Sequence, residues 1–176
     1  FLLNPNGVLF GLGAQVDVGG LVASTLNLTD ADFLAGRHRF TRGAGAGSVV
    51  NQGAITAANG GYVVLIGPQV RNEGSITATL GTVALAAGNQ VTLNLNGNSL
   101  VSFAVEKGAL EALAENRQLI QADGGQVILS AKAADALTRS VVNNTGILQA
   151  NTVTARNGVI RLEGGVVANS GTVAVA

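Results

Sequence analysis

The chain's single histidine, His38, is the first candidate for chemistry, because two carboxylates, Asp30 and Asp32, stand just before it. An acid-oriented histidine can activate a hydroxyl group as a nucleophile. However, Arg37 and Arg39 flank His38, and no Gly-x-Ser-x-Gly turn that would expose a nucleophilic serine occurs. We therefore predict that His38 is a solvated loop residue and that the chain has no catalytic residue.

Glycine-rich segments are the next candidates, because backbone N–H groups in such loops can cradle phosphate. Residues 11–16 lack the third glycine of a dinucleotide-binding loop, and residues 43–48 do not end in Gly-Lys-Ser/Thr. The chain has no cysteine and one histidine, and it contains no Asp-rich calcium repeat. We predict turns in both segments, no cofactor and no metal site.

The charge and hydrophobic content of the chain limit the kinds of partner that we expect it to bind. Ten Lys and Arg balance ten Asp and Glu, so no field attracts nucleic acid or an anionic membrane surface. A hydrophobic fraction of 47% excludes a disordered tail. The sequence contains no run of 18 apolar residues, so no segment is predicted to insert into a membrane. Because residue 1 is Phe and no Met occurs, we expect a processed product or a segment of a longer protein.

An internal repeat organises these residues. The sequence Val-x-Asn-x-Gly at positions 49–53 recurs 21 residues later at positions 70–74, and again at 142–146 and 167–171. Equating Gly60 with Gly81 extends the match and aligns Val64 with Leu85. Repetition at this period is typical of solenoid folds, in which each unit buries its inner face only against its neighbours.

Each unit is predicted to form three short strands, because its apolar residues alternate with polar ones. Tyr62, Val64 and Ile66 form one such run, which indicates a strand with one buried face. Stacked units pair equivalent strands in parallel, so the sequence predicts an all-β fold, a parallel β-helix with a roughly triangular section. Its narrow interior explains an aromatic content of only 3%.

The repeat also predicts where the asparagines lie. Four of them fall at one corner of the stack, where their amides can bond to each other or to turn carbonyls along the axis: Asn51, Asn72, Asn144 and Asn169. We interpret this ladder as structural. Two segments near 99–116 and 130–140 break the repeat; the first favours a helix after Gly108, and both are interpreted as short helical or loop insertions between coils.

The N-terminal segment encodes a tight turn, Asn4-Pro5-Asn6-Gly7, between two apolar runs. Pro5 biases Asn4 toward extended geometry, and an Asn-Gly pair accepts positive φ. The strand-like run 14–25 and the segment 28–36, Leu-Thr-Asp-Ala-Asp-Phe-Leu-Ala-Gly, follow in order.

These motifs and the Asn-x-Gly-x-Ile coils resemble the second half of the secretion domain of filamentous-haemagglutinin-type exoproteins of two-partner secretion systems. The resemblance is carried by residues 1–90, predicted as that half-domain, and residues 91–176 are predicted as continuing coils. It implies a right-handed parallel β-helix, Sec export to the periplasm, and transfer to the cell surface through a dedicated outer-membrane β-barrel transporter with periplasmic recognition domains. It also implies that the Asn4-Pro5-Asn6-Gly7 turn matters for secretion, and that the family's earlier half is missing here.

We therefore predict a secreted or surface-exposed, adhesin-like binding and structural protein. The resemblance implies adhesion, haemagglutination, contact-dependent inhibition or haem-carrier capture downstream, with a host-cell receptor or glycan as a further partner. The alternative is a β-helical polysaccharide-active enzyme, since lyases of that fold gather acidic groups around calcium. Only Asp30 and Asp32 lie close together in the sequence, which favours the first hypothesis.

Overall fold

The computed structural model describes residues 1–45, 47–95 and 101–176. Strands dominate the described residues, and one five-residue helix accompanies them. In chain order the elements are β1 (Leu2–Leu3), β2 (Val8–Phe10), β3 (Gln15–Ser24), α1 (Asp30–Leu34), β4 (His38–Thr41), β5 (Val49–Asn51), β6 (Ala54–Gly67), β7 (Gln69–Asn72), β8 (Ser75–Thr77), β9 (Thr82–Ala87), β10 (Gln90–Asn94), β11 (Ser102–Lys107), β12 (Glu111–Asn116), β13 (Leu119–Gln121), β14 (Gln126–Ala131), β15 (Arg139–Asn144), β16 (Ile147–Gln149), β17 (Val159–Glu163), β18 (Val166–Asn169) and β19 (Thr172–Ala174).

Most strands pair in parallel with the equivalent strand of the next turn of chain, as a parallel β-helix requires. Face 1 is the sheet β2-β5-β7-β12-β15-β18. The long strands β3 and β6 each run across two faces. Face 2 holds the first halves of β3 and β6, followed by β8, β13, β16 and β19. Face 3 holds the second halves of β3 and β6, followed by β9, β14 and β17. We number the coils along the chain: coil 1 (β2, β3), coil 2 (β5, β6), coil 3 (β7, β8, β9), coil 4 (β12, β13, β14), coil 5 (β15, β16, β17) and coil 6 (β18, β19).

Files of aliphatic side chains fill the interior, because strand pairing in register places like residues over one another. On face 2 the file is Ile55, Ile76, Ile120 and Leu148, each 1% exposed or less. On face 3, Leu65, Leu85 and Leu129 form a second file. These layers are the solenoid core, and the all-β, parallel β-helix prediction is confirmed.

The register of face 3 differs from the predicted one by one residue. Val64 pairs with Ala84 and Leu65 with Leu85, a shift of 20 residues rather than 21. Gly60 takes φ 77°, so it occupies the left-handed region where glycine is favoured, and β6 continues through it without breaking. The predicted alignment of Val64 with Leu85 was therefore wrong. A one-residue slip exchanges the two faces of a strand, so it also changes which side chains face the interior.

A second core covers the outer side of face 3. The side chains predicted to face the solenoid interior, those of Tyr62, Val64 and Ile66, instead face outward. Val64 and Ile66 are buried in this second core, and Tyr62 packs at its edge. An antiparallel sheet, β11-β10-β4, lies over them and contributes Phe40, which is fully buried. This sheet comes from two excursions of the chain, after coil 1 and after coil 3. Both faces of β6 are therefore buried near its end.

The segment predicted to break the repeat at 99–116 is only partly an excursion. Residues 99–100 lie outside the described residues, β11 belongs to the covering sheet, and the part after Gly108 is β12, a coil strand rather than a helix. Pairing with β7 and β15 on both sides overrides the local helix preference. At 130–140 the structure has a loop between β14 and β15. Within the described ranges, no helix is long and apolar enough to cross a membrane.

Candidate functional site

The Asn4-Pro5-Asn6-Gly7 turn lies between β1 and β2 and exposes its first three side chains to solvent. The backbone N–H of Asn6 donates to Asn4 Oδ1 at 3.0 Å, and the N–H of Gly7 donates to the Asn4 carbonyl at 3.2 Å. Gly7 has φ 142°, a value that disfavours other residues. The turn is therefore shaped by its own bonds and does not depend on a partner.

Two contacts fix this turn to the stack. The N–H of Asn4 donates to the Ser24 carbonyl at 3.0 Å, and the N–H of Gly47 donates to the Pro5 carbonyl at 2.8 Å. A Cβ on Gly47 would overlap the Asn6 carbonyl oxygen, so only glycine permits this approach. The turn is thus held as a rigid, outward-facing feature near the first coil.

The structure brings the four predicted asparagines together in one file with a fifth, Asn116. Each Nδ2 donates to the Oδ1 of the asparagine in the following coil. The four bonds are Asn51 to Asn72 at 2.9 Å, Asn72 to Asn116 at 2.9 Å, Asn116 to Asn144 at 2.8 Å and Asn144 to Asn169 at 2.7 Å.

The same amides also bond to the turn that follows each of them. Asn72 Nδ2, for example, donates to the carbonyls of Gly74 and of Leu119 in the next coil, both at 3.0 Å. The first four asparagines are fully buried, whereas Asn169 is exposed at the end of the stack. A buried, fully bonded amide offers neither an acid nor a base, and the bonds of this file satisfy the polar groups at one corner of the stack.

Four charged residues on the outer side of face 1 form what we call the charge square: Arg71 and Glu73 on coil 3, and Glu115 and Arg117 on coil 4. Arg71 Nε lies 3.5 Å from Glu115 Oε2, Arg117 Nη1 lies 3.0 Å from Glu73 Oε1, and Arg117 Nε lies 3.1 Å from Glu115 Oε2. Glu115 is nearly buried, at 7% exposure, and a buried carboxylate is costly to leave without an opposite charge nearby.

The structure directs the candidate catalytic groups to other partners. His38 begins β4 and is half-buried, so the prediction of a solvated loop residue was wrong: its ring stacks on Phe1, with ring centroids 5.4 Å apart. Asp32 accepts a bond from Arg37 Nε at 2.9 Å, which lowers the pKa of that carboxyl group. A histidine in an aromatic stack and an acid in an ion pair do not form a catalytic pair.

Two further carboxylates have perturbed pKa values, and hydrogen bonds account for both. A bond from Thr92 holds the pKa of Glu106 below its usual range. Burial raises the pKa of Asp123, but bonds from Gln121, Asn151 N–H and Gln149 lower it by more. Among the residues that the structure describes, no group of three His, Cys, Asp or Glu side chains is placed to hold a metal ion.

Comparison with known proteins assigns this architecture. A family model described as the TPS secretion domain matches residues 1–175. The chain belongs to the TPS secretion domain family. The match continues through position 90, where we predicted a domain boundary; that boundary stays a prediction.

Relatives of this TPS domain agree with the assignment. A heme/hemopexin-binding protein of Haemophilus influenzae is 36% identical over 169 residues, covering 92% of this chain and 18% of the relative. A second heme/hemopexin-binding protein of that species is 33% identical over 185 residues, covering 92% and 19%. The crystal structure of the HMW1 secretion domain from Haemophilus influenzae matches with a TM-score of 0.78 at 31% identity, covering 92% of this chain and 42% of that one.

The chain spans about a fifth of the length of these curated relatives. TPS-domain exoproteins are secreted or surface-exposed and reach that location through the periplasm by two-partner secretion, as we predicted. The family implies a dedicated outer-membrane transporter as partner. The names of the relatives refer to ligand binding and secretion and not to an enzyme activity.

Sequence reasoning missed three features of the site. Asn116 lacks the glycine two residues later that marks the other four asparagines, since Gln118 stands there. The charge square joins residues that lie 44 positions apart, and no local pattern announces it. Gly47 was predicted only as part of a turn, whereas it packs on the Asn6 carbonyl.

Proposed function

We propose that the Asn4-Pro5-Asn6-Gly7 turn is a recognition element that the periplasmic domains of an outer-membrane transporter bind during export. The observation that carries this proposal is the combination of exposure and rigidity. Three polar or cyclic side chains face solvent on a backbone already fixed by the Asn4 and Gly47 bonds. A preformed turn binds a partner without an ordering cost, which favours recognition.

The stack behind the turn supports a structural role for the remainder. Its described outer surface carries scattered charges, and its interior is closed by aliphatic files and the asparagine file. We propose that the chain is the base of a surface-exposed, adhesin-like exoprotein whose longer part meets a host receptor or glycan. The polysaccharide-active alternative has less support, because Asp32 is paired with Arg37 and the described acidic residues form no metal cluster.

The experiment is a secretion assay with the cognate transporter, using the variant Asn4→Ala. This change removes the side-chain acceptor for the Asn6 N–H. One lost bond of about 1 kcal/mol predicts roughly five- to tenfold weaker binding to the purified periplasmic domains and less exported protein. Asn59→Ala is the matched control, since Asn59 is also an exposed asparagine but lies outside the Asn4-Pro5-Asn6-Gly7 turn.

Far-UV circular dichroism establishes that both variants fold. If Asn4→Ala is exported and bound as well as Asn59→Ala, the turn is not the recognition element. If both variants lose export equally, the transporter reads general surface features instead.

A second candidate role comes from the relatives, which are named heme/hemopexin-binding proteins. We propose that the whole exoprotein captures heme or its carrier protein, with this domain serving export. Pull-down of hemopexin by the full-length exoprotein and by this domain alone tests the division. Capture by the domain alone at equal affinity would contradict it.

A further inference from the structure

The charge square joins two particular coils of the stack. Among the described residues, the ion pairs between different coils are Arg71 with Glu115 and Glu73 with Arg117, and both join coil 3 to coil 4. On coil 3 a positive charge is followed by a negative one, and on coil 4 the order is the opposite, so each charge faces one of opposite sign in the neighbouring coil. Inverting the sign of one coil alone would therefore place like charges opposite each other at both positions.

Neutral amides border the square on both sides. Gln52 of coil 2 donates to Glu73 Oε2 at 3.0 Å, and Asn143 of coil 5 donates to Glu115 Oε1 at 3.0 Å. Coils 2 and 5 thus contact the square without contributing charge at the equivalent positions. The charged surface is limited to the coil 3 and coil 4 junction.

This junction is one of the two at which the chain rejoins the stack after an excursion; the other lies between coils 1 and 2. Successive members of the asparagine file are 21, 44, 28 and 25 residues apart, and the separation of 44 belongs to Asn72 and Asn116. Residues between β9 and β12 leave the solenoid to build β10 and β11. Closing a long loop costs more entropy than closing a short one, so this step has less local guidance than the other steps of the asparagine file.

Coils 4 and 5 offer coil 3 similar strands to pair with. Coil 5 presents Asn144 and Leu148 at the positions where coil 4 presents Asn116 and Ile120, and it could pair with coil 3 in their place. What coil 5 lacks is charge at the positions of the square: Asn143 stands in register with Glu115, and Thr145 takes the place of Arg117 two residues later. Apart from the charge square, the strands of coil 5 on faces 1 and 2 thus offer coil 3 the same kinds of asparagine and aliphatic contact as those of coil 4.

We propose that the charge square selects coil 4, rather than coil 5, as the partner of coil 3 during folding. Docking of coil 5 would leave Arg71 and Glu73 without opposite charges, and Arg71 is two-thirds withdrawn from solvent. This role goes beyond transporter recognition and concerns the order in which an exported chain stacks. It holds whether or not the Asn4-Pro5-Asn6-Gly7 turn is the recognition element.

Disulfide trapping during refolding tests this, because the chain has no cysteine of its own. Ser75 faces Leu119 in the neighbouring strand, and Leu119 faces Ile147 in the one after. The pair Ser75→Cys and Leu119→Cys reports correct stacking. The pair Ser75→Cys and Ile147→Cys reports a skipped coil, since two strand spacings of roughly 9.6 Å exceed the reach of a disulfide.

Each cysteine pair is placed in four backgrounds and refolded from denaturant under oxidising conditions. The backgrounds are the natural square, a half-inverted square with Arg71→Glu and Glu73→Arg, a fully inverted square that adds Glu115→Arg and Arg117→Glu, and a control that exchanges the exposed pair Arg161 and Glu163. We expect the half-inverted chain to raise the ratio of the 75–147 link to the 75–119 link by about tenfold. Full inversion and the control should return the natural ratio.

The proposal is overturned if the half-inverted chain forms the 75–119 link as efficiently as the natural chain. It is also overturned if full inversion does not correct a defect of the half-inverted chain, because complementarity of sign would then be irrelevant. It is overturned as well if the 75–147 link forms in none of the four backgrounds, because coil 5 would then not compete with coil 4 for coil 3.

Discussion

Replacing Asn116 by alanine tests the buried asparagine file at its middle. Asn116 Nδ2 donates to Asn144 Oδ1 at 2.8 Å and to the carbonyls of Gln118 and Ile147 at 3.2 Å, and Asn116 Oδ1 accepts from Asn72. The residue is fully buried, so no water replaces these bonds. The variant leaves Asn144 Oδ1 facing a methyl group.

The cost follows from counting groups. An amide has two N–H protons and one carbonyl, so about three net bonds of roughly 1 kcal/mol are lost, and a buried unsatisfied acceptor adds about 1 kcal/mol or more. The expected loss is about 4 kcal/mol, a large part of a typical unfolding free energy of about 5–15 kcal/mol. For a chain of this size, it lowers Tm by about 8–16 °C.

Thermal and urea unfolding followed by circular dichroism measure the loss. Asn169→Ala is the matched control, because Asn169 occupies the same position in the exposed final coil, where water can replace its bonds. We expect it to cost about 1 kcal/mol or less. Equal costs for the two variants would refute the reasoning, since burial of the file would then contribute nothing.

Two further changes test other parts of the fold. Phe40→Ala leaves a cavity in the second core and should lower the free energy of unfolding in urea by about 3–5 kcal/mol, while the far-UV spectrum of the solenoid is kept. A loss below about 1 kcal/mol would mean that the covering sheet is not packed on face 3. Asp123→Asn should destabilise the protein near neutral pH, because an amide nitrogen would face the donors that the carboxylate accepts. Since folding lowers the pKa of Asp123, its stabilisation is present above the unfolded pKa of about 3.9 and is lost as pH falls through the folded value, so unfolding curves of variant and parent should converge in acid.

The periodic part of the fold was predictable because it is written in local pattern. The Val-x-Asn-x-Gly repeat located four of the five asparagines. A broader pattern would have found the fifth: an aliphatic residue follows each asparagine by four positions, including Ile120 after Asn116. The alanines, leucine and glutamates of β12 favour a helix locally, and only the neighbouring strands convert them into a coil.

The phase of face 3 was not predictable from one unit, because both sides of its strands are apolar. A run such as Tyr-Val-Val-Leu-Ile at 62–66 has no polar side to indicate which residues face the solenoid. The decision depends on β4, β10 and β11, which return from distant parts of the chain to cover it. A continuous apolar run in a β-solenoid should therefore be interpreted as a sign of a covering element.

Asparagine has two opposite roles in this chain, and the surrounding residues decide between them. Asn4 stands before a proline in a turn, where its side chain accepts a bond from the backbone N–H of Asn6 and stays exposed. Asn116 ends a strand whose neighbours on both sides also end in asparagine, and it is buried. The two roles separate experimentally: Asn116→Ala should lower Tm by about 8–16 °C while leaving transporter affinity of the folded protein unchanged, and Asn4→Ala should weaken transporter binding while lowering Tm by about 4 °C or less. A shared effect on both quantities would mean that recognition depends on the stability of the stack rather than on the shape of the turn.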